Sequence, residues 1–508
     1  MNLIELFQSS FEKRSDKPAI HIDQEVFSFG ELDRRSDAAA VALRGRFGLT
    51  KGDRAAMYLG NSAALVIYYL ACLKLGAIVV PVNVLLRHQE LKQLLEDSQS
   101  KVLLTDGERL DGLAESVGQF PMPQHLIVAG GDNLQTAVEV IEFETLIELT
   151  SAAPAPEVSI RGDDPALMVY TSGTTGRSKG ALLTHHNLVS NIVALLHCWQ
   201  WTESDRFLLS LPLFHVHGLC NGLHGALASG CTTFLLERFN AEAVLALMHS
   251  QRTTLFFGVP TMYERLLEAA EQGQRIPLSM RLFVSGSAPL SPETFERFRQ
   301  VFGHEILERY GMSETLMITS NLYAGPRGQG TVGKPLPGIS VRIRKDDGSL
   351  AIEAADSGEI QVRGPNVMAQ YWREPEKTSD SFEEGWFKTG DLGHWDDQGR
   401  LVICGRLKQL IISGGFNIYP QELINCLRAH PAIMDAVVIG VPDRIRGELV
   451  KAYVVTGEAD LTAETVIDHC RAHLASYKVP RSVLFLATLP RNAMGKVQLD
   501  GLPDRDRL

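Results

Sequence analysis

Hydrophobic and polar positions follow two alternating periods along the first third of the chain. Residues 29–47 carry apolar side chains at helical spacing, and residues 53–60 predict a short strand. Residues 62–76 predict a buried helix, and residues 77–83 predict a buried strand. Strands that alternate with helices form parallel sheets covered by helices on both faces. The pattern therefore predicts the α/β class.

The pattern changes twice further along the chain. Near residue 340, short strands separated by Gly and Asp turns predict an antiparallel meander. After residue 420 the order is helix, strand, strand, helix, strand, which is typical of a small separate α+β domain. We therefore predict a large N-terminal domain of stacked α/β sheets with a small β-barrel-like subdomain (residues 1–405), and a small C-terminal α+β domain (residues 406–508).

Composition narrows the class of protein. The chain has 508 residues, a net charge of −11 and 45% hydrophobic residues, which is an ordinary globular composition with room for two or more domains. The acidic balance argues against nucleic acid as a main partner. The longest apolar run, which begins at Ala63, is too short to span a bilayer, and no signal peptide opens the chain. We expect a soluble, cytoplasmic protein without an integral membrane segment.

The seven cysteines add little chemistry at this level. They are scattered, odd in number and never spaced as CxxC. Such cysteines are expected to be small buried residues in a reducing compartment.

Residues 171–180, "TSGTTGRSKG", stand out as candidate chemistry. Eight of these ten residues are Gly, Ser or Thr, and an apolar strand, "ALMVY", leads into them. Backbone amides and hydroxyls in such a loop can bind an anion, and Arg177 and Lys179 add positive charge. The loop lacks the G-x-x-x-x-G-K-[ST] pattern of a P-loop. It indicates a phosphate site of another kind, with a solvated loop as the alternative.

Six stretches in order identify a resemblance. They are "YTSGTTGRSKGA", "LPLFHVHG", "ERYGMSET", "WFKTGDLG", "GRLKQLIISGGFNIYP" and "LPRNAMGKVQ". Their order and spacing resemble the adenylate-forming superfamily of acyl-CoA synthetases, adenylation domains and beetle luciferases, over essentially the whole chain. The resemblance implies that a carboxylic acid and ATP give an acyl-adenylate and pyrophosphate. A thiol then takes the acyl group and releases AMP.

The resemblance also implies the ligands and the moving parts. ATP, Mg²⁺ and coenzyme A are the expected ligands, with small molecules as partners and a monomer or homodimer as the assembly. The C-terminal domain is expected to rotate between the two half-reactions, with Lys408 at the hinge. Gly414 and Gly415 are expected to let the pantetheine arm pass close to the backbone.

The same resemblance assigns the catalytic residues. Lys496 is expected to bridge the carboxylate and the α-phosphate, where it supplies charge and alignment. Glu314 and Thr171 are expected to hold Mg²⁺, a hard ion that prefers oxygen ligands. His215 is expected to act as a gate near the acyl carboxylate. A packed structural histidine, or a metal site with His217 and His224, is the alternative for this residue.

The residues at the nucleotide follow in the same way. Asp391 is expected to accept from the ribose hydroxyls, Arg406 to support ribose or phosphate, and Tyr310 to lie against adenine. The TSGTTGRSKG loop is expected to hold the β- and γ-phosphates, which leave as pyrophosphate. The full set expected to bind ATP or CoA is Thr171, Ser172, Gly173, Thr174, Thr175, Gly176, Lys179, Ser287, Ala288, Pro289, Glu308, Arg309, Tyr310, Gly311, Met312, Ser313, Thr315, Asp391, Arg406, Lys408, Gly414 and Gly415.

The identity of the acid stays open at this level. The chain looks most similar to malonyl-CoA synthetases and to fatty-acid–CoA ligases, and a stand-alone enzyme that loads a carrier protein is a further alternative. Arg281 matches an Arg that pairs with a second carboxylate in the malonate enzymes, and it is equally suited to a structural role. Leu316 departs from the polar residue expected there. The expected acyl pocket comprises His215, Arg281, Ser285 and Gly286.

Overall fold

The structure is a computed structural model, and its described residues cover most of the chain. They are residues 1–86, 88–114, 123, 125–130, 140–150, 154–171, 178–271, 276–325, 327–351, 353–354, 356–413, 416–443, 446–474, 476, 478–492 and 495–505.

The strands are numbered in chain order. They are β1 (Pro18–Ile22), β2 (Glu25–Ser28), β3 (Arg54–Tyr58), β4 (Ile78–Pro81), β5 (Val102–Asp106), β6 (His125–Ala129), β7 (Val140–Glu142), β8 (Pro165–Thr171), β9 (Lys179–Thr184), β10 (Arg206–Leu209), β11 (Thr232–Leu235), β12 (Leu255–Gly258), β13 (Leu282–Ser285), β14 (Ile306–Met312), β15 (Leu316–Ser320), β16 (Lys334–Pro335), β17 (Ser340–Arg344), β18 (Gly358–Arg363), β19 (Gln370–Tyr371), β20 (Phe382–Glu383), β21 (Trp386–Trp395), β22 (Leu401–Arg406), β23 (Ile411–Ser413), β24 (Phe416–Ile418), β25 (Ile433–Asp443), β26 (Gly447–Thr456) and β27 (Ser482–Phe485).

The helices fill the intervals between the strands. They are α1 (Leu3–Lys13), α2 (Phe29–Phe47), α3 (Ala63–Lys74), α4 (His88–Ser98), α5 (Gly107–Ala114), α6 (Phe143–Glu148), α7 (His185–Cys198), α8 (His224–Ser229), α9 (Ala241–Ser250), α10 (Pro260–Glu271), α11 (Pro292–Phe302), α12 (Pro375–Asp380), α13 (Pro420–Arg428) and α14 (Ala463–His473). A π-helix spans His217–Leu223, and 3₁₀ turns span Leu407–Gln409 and Leu499–Gly501.

Two large sheets build the N-terminal domain. Nine strands follow the order β16-β15-β14-β13-β12-β10-β11-β1-β2, and eight follow β19-β9-β8-β4-β3-β5-β6-β7. The central pairs of both sheets are parallel, as in β12 with β13 and β3 with β4. Parallel strands require crossover connections, and the helices between them supply these. The predicted α/β class is confirmed.

Helix α3 lies at the centre of the main hydrophobic core. Every residue from Leu65 to Lys74 is buried, which agrees with the apolar run seen in the sequence. The one charge in this segment, Lys74 at the C-terminal end, lies 2.7 Å from Asp33 and 2.5 Å from Asp37 of α2. Two carboxylates compensate the buried ammonium, so an almost wholly apolar helix can end in a Lys.

A smaller antiparallel sheet and a small mixed α+β unit complete the chain. Strands β17, β18, β21, β20 and β22 form the separate sheet expected near residue 340. Strands β23–β27 with α13 and α14 form the small C-terminal domain, which has its own hydrophobic cluster. The boundary predicted between residues 405 and 406 falls at the last position of β22, and it stays a prediction. Among the described helices, none is long and apolar enough to cross a membrane.

Candidate active site

A buried carboxylate marks the first part of the site. Glu314 lies in the turn between β14 and β15, and its Oε1 accepts from Thr171 Oγ1 at 3.2 Å and from Tyr371 Oη at 3.1 Å. Desolvation raises the pKa of Glu314, and these two hydroxyls oppose that shift. Thr171 ends β8, at the start of the predicted phosphate loop. Carboxylate and hydroxyl oxygens therefore meet where the loop leaves the sheet.

A second carboxylate lies on the antiparallel subdomain. Asp391 of β21 is opposite Arg406 of β22, and Arg406 Nε is 3.0 Å from Asp391 Oδ1. The other oxygen, Oδ2, accepts from Tyr310 Oη at 2.6 Å. Tyr310 belongs to β14, so this hydrogen bond joins the large sheet to the subdomain. Asp391 is buried and Arg406 is half exposed, which leaves one side of the ion pair open to a ligand.

Lys496 of the C-terminal domain lies within electrostatic range of this ion pair. Desolvation and the charge of Arg406 lower the pKa of Lys496, and the charge of Asp391 acts in the opposite direction. The backbone nearby is held by Lys496 N–H, which donates to Asn492 Oδ1 at 3.0 Å. A Cβ on Gly495 would lie 3.3 Å from Thr261 Oγ1 at the start of α10, so this turn touches the large domain. The structure thus brings Lys496 to Asp391 and Arg406 although 90 residues separate Lys496 from Arg406 in the chain.

The "LFHVHG" stretch leads into a π-helix that lies beside the loop after β13. A π-helix begins at His217, and π-helical turns are frequent at functional sites. Gly218 is required there because a Cβ would lie 2.4 Å from the carbonyl oxygen of Pro212. Desolvation lowers the pKa of His215 to about 4 and lowers the pKa of His217 well below its usual value, so both rings are neutral at physiological pH. His217 Nδ1 lies 3.2 Å from Ser287 Oγ.

The metal alternative for these histidines does not hold in the described part of the chain. His224 Nε2 lies 2.7 Å from Tyr69 Oη, and the two rings stack within the core. His215, His217 and His224 do not form a ligand cluster among the described residues. Their roles are therefore packing or substrate contact.

A buried guanidinium lies beneath the loop after β13. A Cβ on Gly286 would lie 2.3 Å from Arg309 Cζ, so only glycine allows this approach. Arg309 is 4% exposed, and its Nε and one terminal nitrogen have no hydrogen-bond partner among the described residues. Ser285 Oγ and His217 Nε2 are likewise buried and unpartnered there. Ser287 adopts a left-handed φ of 72°, a strained conformation that is common at binding sites.

The structure places Arg281 in a different role from the predicted acyl pocket. Its guanidinium binds Asp205 through two hydrogen bonds of 2.7 and 2.6 Å, and it donates to the carbonyls of Trp199 and Gln200. It also lies 4.9 Å from the ring centroid of Tyr323. These contacts use its donors, so none is directed to a substrate carboxylate. The structure thus shows the structural ion pair that the sequence left open for Arg281, and its pairing with an acid stays a prediction.

The other predicted residues lie at several places around the strand ends. Lys179 begins β9, and its Nζ lies 5.0 Å from the ring centroid of Tyr371. Glu308 is buried, and the backbone of Leu290 and Gly330 hydrogen-bonds to its carboxyl group. Thr315 Oγ1 donates locally to the carbonyl of Leu316 at 3.3 Å. Gly311 and Met312 are the last two residues of β14, and Ser313 lies in the turn after it. Ala288 and Pro289 lie in the loop after β13.

Several predicted residues lie outside the described structure. For Lys408 only the backbone is described, within the 3₁₀ turn Leu407–Gln409. Those that lie wholly outside are Ser172, Gly173, Thr174, Thr175, Gly176, Gly414 and Gly415.

Two site residues have no assignment from the sequence. Tyr371 reaches Glu314 because β19 pairs with β9, and no spacing rule links positions 371 and 314. For His217, the H-x-H spacing is the only signal, and it suggests a metal ligand rather than the role that the structure shows. The π-helix that turns His217 toward Ser287 cannot be predicted from periodicity.

Comparisons with known proteins agree with this geometry. Residues 7–372 match the family model of the AMP-binding enzyme, and residues 424–496 match that of the AMP-binding enzyme C-terminal domain. The chain is 32% identical to a long-chain-fatty-acid–CoA ligase of Yersinia pestis, covering 99% of this chain and 94% of that one. It is 32% identical to a malonate–CoA ligase of Arabidopsis thaliana, covering 98% and 88%.

A solved structure extends the agreement to three dimensions. ATP-bound MatB from Rhodopseudomonas palustris is 37% identical, with 98% of each chain covered and a TM-score of 0.86. The two family models together cover most of the chain, one in the N-terminal domain and the other in the C-terminal domain. The chain therefore belongs to the AMP-binding enzyme family and is an AMP-forming acyl-CoA ligase.

Proposed function

We propose that the protein activates a short carboxylic acid that carries a second polar or anionic group, with a short dicarboxylate as the preferred class. Arg309 is the observation that supports this proposal. Burial lowers its pKa to about 9, which still leaves the guanidinium charged at neutral pH. A buried charge without a partner is costly, and a carboxylate is the ligand that best compensates it.

The surroundings of Arg309 fit a polar acyl group better than a long alkyl chain. Ser285 Oγ and His217 Nε2 are buried near it with unused hydrogen-bonding capacity. A hydrocarbon chain would leave all three groups unsatisfied, whereas a polar substituent could hydrogen-bond to them. A fatty acid remains the second candidate, because several relatives are named long-chain-fatty-acid–CoA ligases.

The first half-reaction would be carried out by groups from both domains. Asp391 and Arg406 would hold the ribose and phosphate side of ATP, and Lys496 would align the acid with the α-phosphate. Fixed positive charge at that point favours the transition state, because negative charge accumulates as two anions combine. His215 would lie beside the acyl carboxylate. Because its ring is neutral, it would not protonate that carboxylate.

Mg²⁺ is compatible with the oxygen-rich end of β8. Glu314 Oε1 and Thr171 Oγ1 lie 3.2 Å apart. Both are oxygen atoms, which are the ligands that Mg²⁺ prefers. These two residues would hold the ion, which would supply positive charge to the triphosphate. For the second half-reaction, Lys408 would act as the hinge, and Gly414 with Gly415 would admit the thiol of CoA.

A substrate panel tests the proposal. Carboxylate-dependent ATP–pyrophosphate exchange should be measured with and without CoA, across malonate, succinate, acetate, butyrate, octanoate and palmitate. We expect the highest kcat/KM for a short dicarboxylate. Highest activity on octanoate or palmitate would reject this substrate class and leave the ligase reaction intact, whereas ADP as the product would reject the mechanism.

The role of Arg309 needs its own variant. Arg309→Met removes the charge at similar volume, and we expect it to raise the KM for the dicarboxylate by about 10- to 150-fold, the equivalent of one charge-assisted hydrogen bond of about 1.5–3 kcal/mol. The matched control is Arg299→Met on the exposed face of α11, where Arg299 pairs with Glu296. Binding of ATP, measured by calorimetry, should be unchanged in both variants. An unchanged KM in a folded Arg309→Met variant would contradict the assignment.

A further inference from the structure

The two helices of the C-terminal domain bring three soft or borderline ligands together. Cys426 lies on α13, and His469 and His473 are one turn apart on α14. One potential ligand atom from each residue, the Cys426 Sγ and a ring nitrogen of each histidine, lies within 4.8 Å of the other two. The His469 and His473 ring centroids are 4.5 Å apart. These three residues form the helix-pair cluster, which is separate from Lys496 and Asp391.

Hydrogen bonds orient both imidazoles of the helix-pair cluster. His469 Nε2 donates to the carbonyl oxygen of Cys426 at 2.9 Å, and His473 Nδ1 donates to the carbonyl oxygen of His469 at 2.8 Å. Each ring then keeps its other nitrogen as a lone-pair donor. Metal-binding histidines almost always donate their second ring nitrogen to a carbonyl or carboxylate in this way, which fixes the tautomer and the ring orientation.

We propose that Cys426, His469 and His473 bind a transition-metal ion of the zinc class. One thiolate and two imidazoles form a ligand set that zinc accepts in tetrahedral sites, where bonds of about 2.0–2.3 Å place the ligand atoms about 3.3–3.8 Å apart. The ligand atoms lie within 4.8 Å of one another in this structure, so binding an ion requires the three side chains to move closer together. His473 is exposed and the other two residues are partly buried, so an ion and a water in the fourth position can enter from solvent.

The position of the helix-pair cluster indicates what the ion does. It joins α13 to α14, the two helices that cover the sheet of the small domain. No residue of the cluster belongs to the expected nucleotide or acyl contacts. An ion at this site would therefore stabilise the small domain by linking its helices, and would leave the chemistry of the acyl transfer to the other residues.

Metal titration of the full-length protein tests the proposal. The reduced, chelator-treated enzyme should be titrated with Co²⁺ as a spectroscopic probe and then with Zn²⁺. We expect one equivalent of Co²⁺ to give a thiolate-to-cobalt charge-transfer band, which Zn²⁺ removes. Zn²⁺ should also raise the thermal midpoint, and the midpoint should keep rising with the logarithm of free Zn²⁺ above saturation, because a ligand that binds only the folded state stabilises it.

Single variants distinguish this site from chance binding. Cys426→Ser should abolish the charge-transfer band, and His473→Gln should weaken Zn²⁺ binding by at least about 10-fold, the smallest loss seen even for residues that only orient a ligand. Cys198→Ser, a partly buried thiol at the end of α7, is the matched control and should titrate like the parent enzyme. The absence of a one-equivalent site, or an unchanged band in Cys426→Ser, would overturn the proposal.

Discussion

Asp391 and Arg406 lie directly opposite each other on β21 and β22, and Arg406 Nε is 3.0 Å from Asp391 Oδ1. The pair stands where the large domain ends, and Lys496 approaches it from the small domain. Tyr310 donates to the other oxygen of Asp391 at 2.6 Å. One carboxylate therefore connects the large sheet, the antiparallel subdomain and the C-terminal domain.

Asp391→Asn should weaken ATP binding. The substitution preserves size and removes the charge that Arg406 and Tyr310 contact. Loss of a charge-assisted hydrogen bond costs about 1.5–3 kcal/mol, so we expect the KM for ATP to rise about 10- to 150-fold in pyrophosphate exchange. Asp396→Asn, whose partner is Arg400, is the matched control on the adjoining turn. Equal KM values for the two variants would contradict the role given to Asp391.

Lys496→Ala should separate the two half-reactions. Lys496 lies within electrostatic range of Asp391 and Arg406 in this arrangement of the domains, so its removal should lower the rate of adenylate formation by at least about 100-fold, the usual effect of losing one transition-state donor. Thioester formation from supplied acyl-adenylate and CoA should persist. Both rates should be measured on the same preparation, with Lys478→Ala as a control in the same domain. Equal loss of both rates would reject this assignment.

Arg281→Met should change stability and leave substrate choice alone. Arg281 makes two hydrogen bonds to Asp205, whose side chain is only 3% exposed. Removal of one partner leaves a buried carboxylate unpaired, which costs about 3–5 kcal/mol in the free energy of unfolding. Urea denaturation should report this loss, while KM for the acid stays at the parent value. A higher KM with unchanged stability would restore Arg281 to the acyl pocket.

Glu308 should make stability depend on pH. Burial raises its pKa from 4.5 to about 8, so the folded protein holds a proton that the unfolded chain releases. Its contribution is fully present below pH 4.5 and is lost as pH rises toward 8, by up to about 1.4 kcal/mol per pH unit. Denaturation midpoints at several pH values should therefore fall less steeply in Glu308→Gln. The control variant Glu293→Gln, at an exposed position, should show the same pH dependence of the denaturation midpoint as the parent protein. The same pH dependence in Glu308→Gln would contradict the prediction.

Periodicity was sufficient for the local architecture. The helix predicted over residues 29–47 is α2, and the apolar segment after Ser62 is the buried helix α3. From α13 onward the order of elements in the C-terminal domain also follows the prediction, whereas the short strands β23 and β24 before it were not predicted. Local patterns succeed because each helix or strand buries a face that its own sequence defines.

Long-range contacts account for what the sequence left open. Arg281 and Asp205 are 76 residues apart, and only the pairing of β10, β12 and β13 brings them together. Arg309 was predicted as a nucleotide contact, and its position against Gly286 depends on the side-by-side pairing of β13 and β14. The helix-pair cluster combines positions 43 and 47 residues apart, far from any standard metal-ligand spacing. Such relationships arise from topology, which residue spacing alone does not encode.

The first strand of the chain has a consequence for synthesis on the ribosome. β1 pairs in parallel with β11, where Ile20 is opposite Thr233, so its partner is made more than 200 residues later. At about 5–20 residues per second, this interval is about 10–40 s. During that time the β1–β2 hairpin has an unpaired edge, and exposed edges invite aggregation. We expect the nascent chain to need chaperone protection until β11 emerges and the nine-stranded sheet can close around its oldest segment.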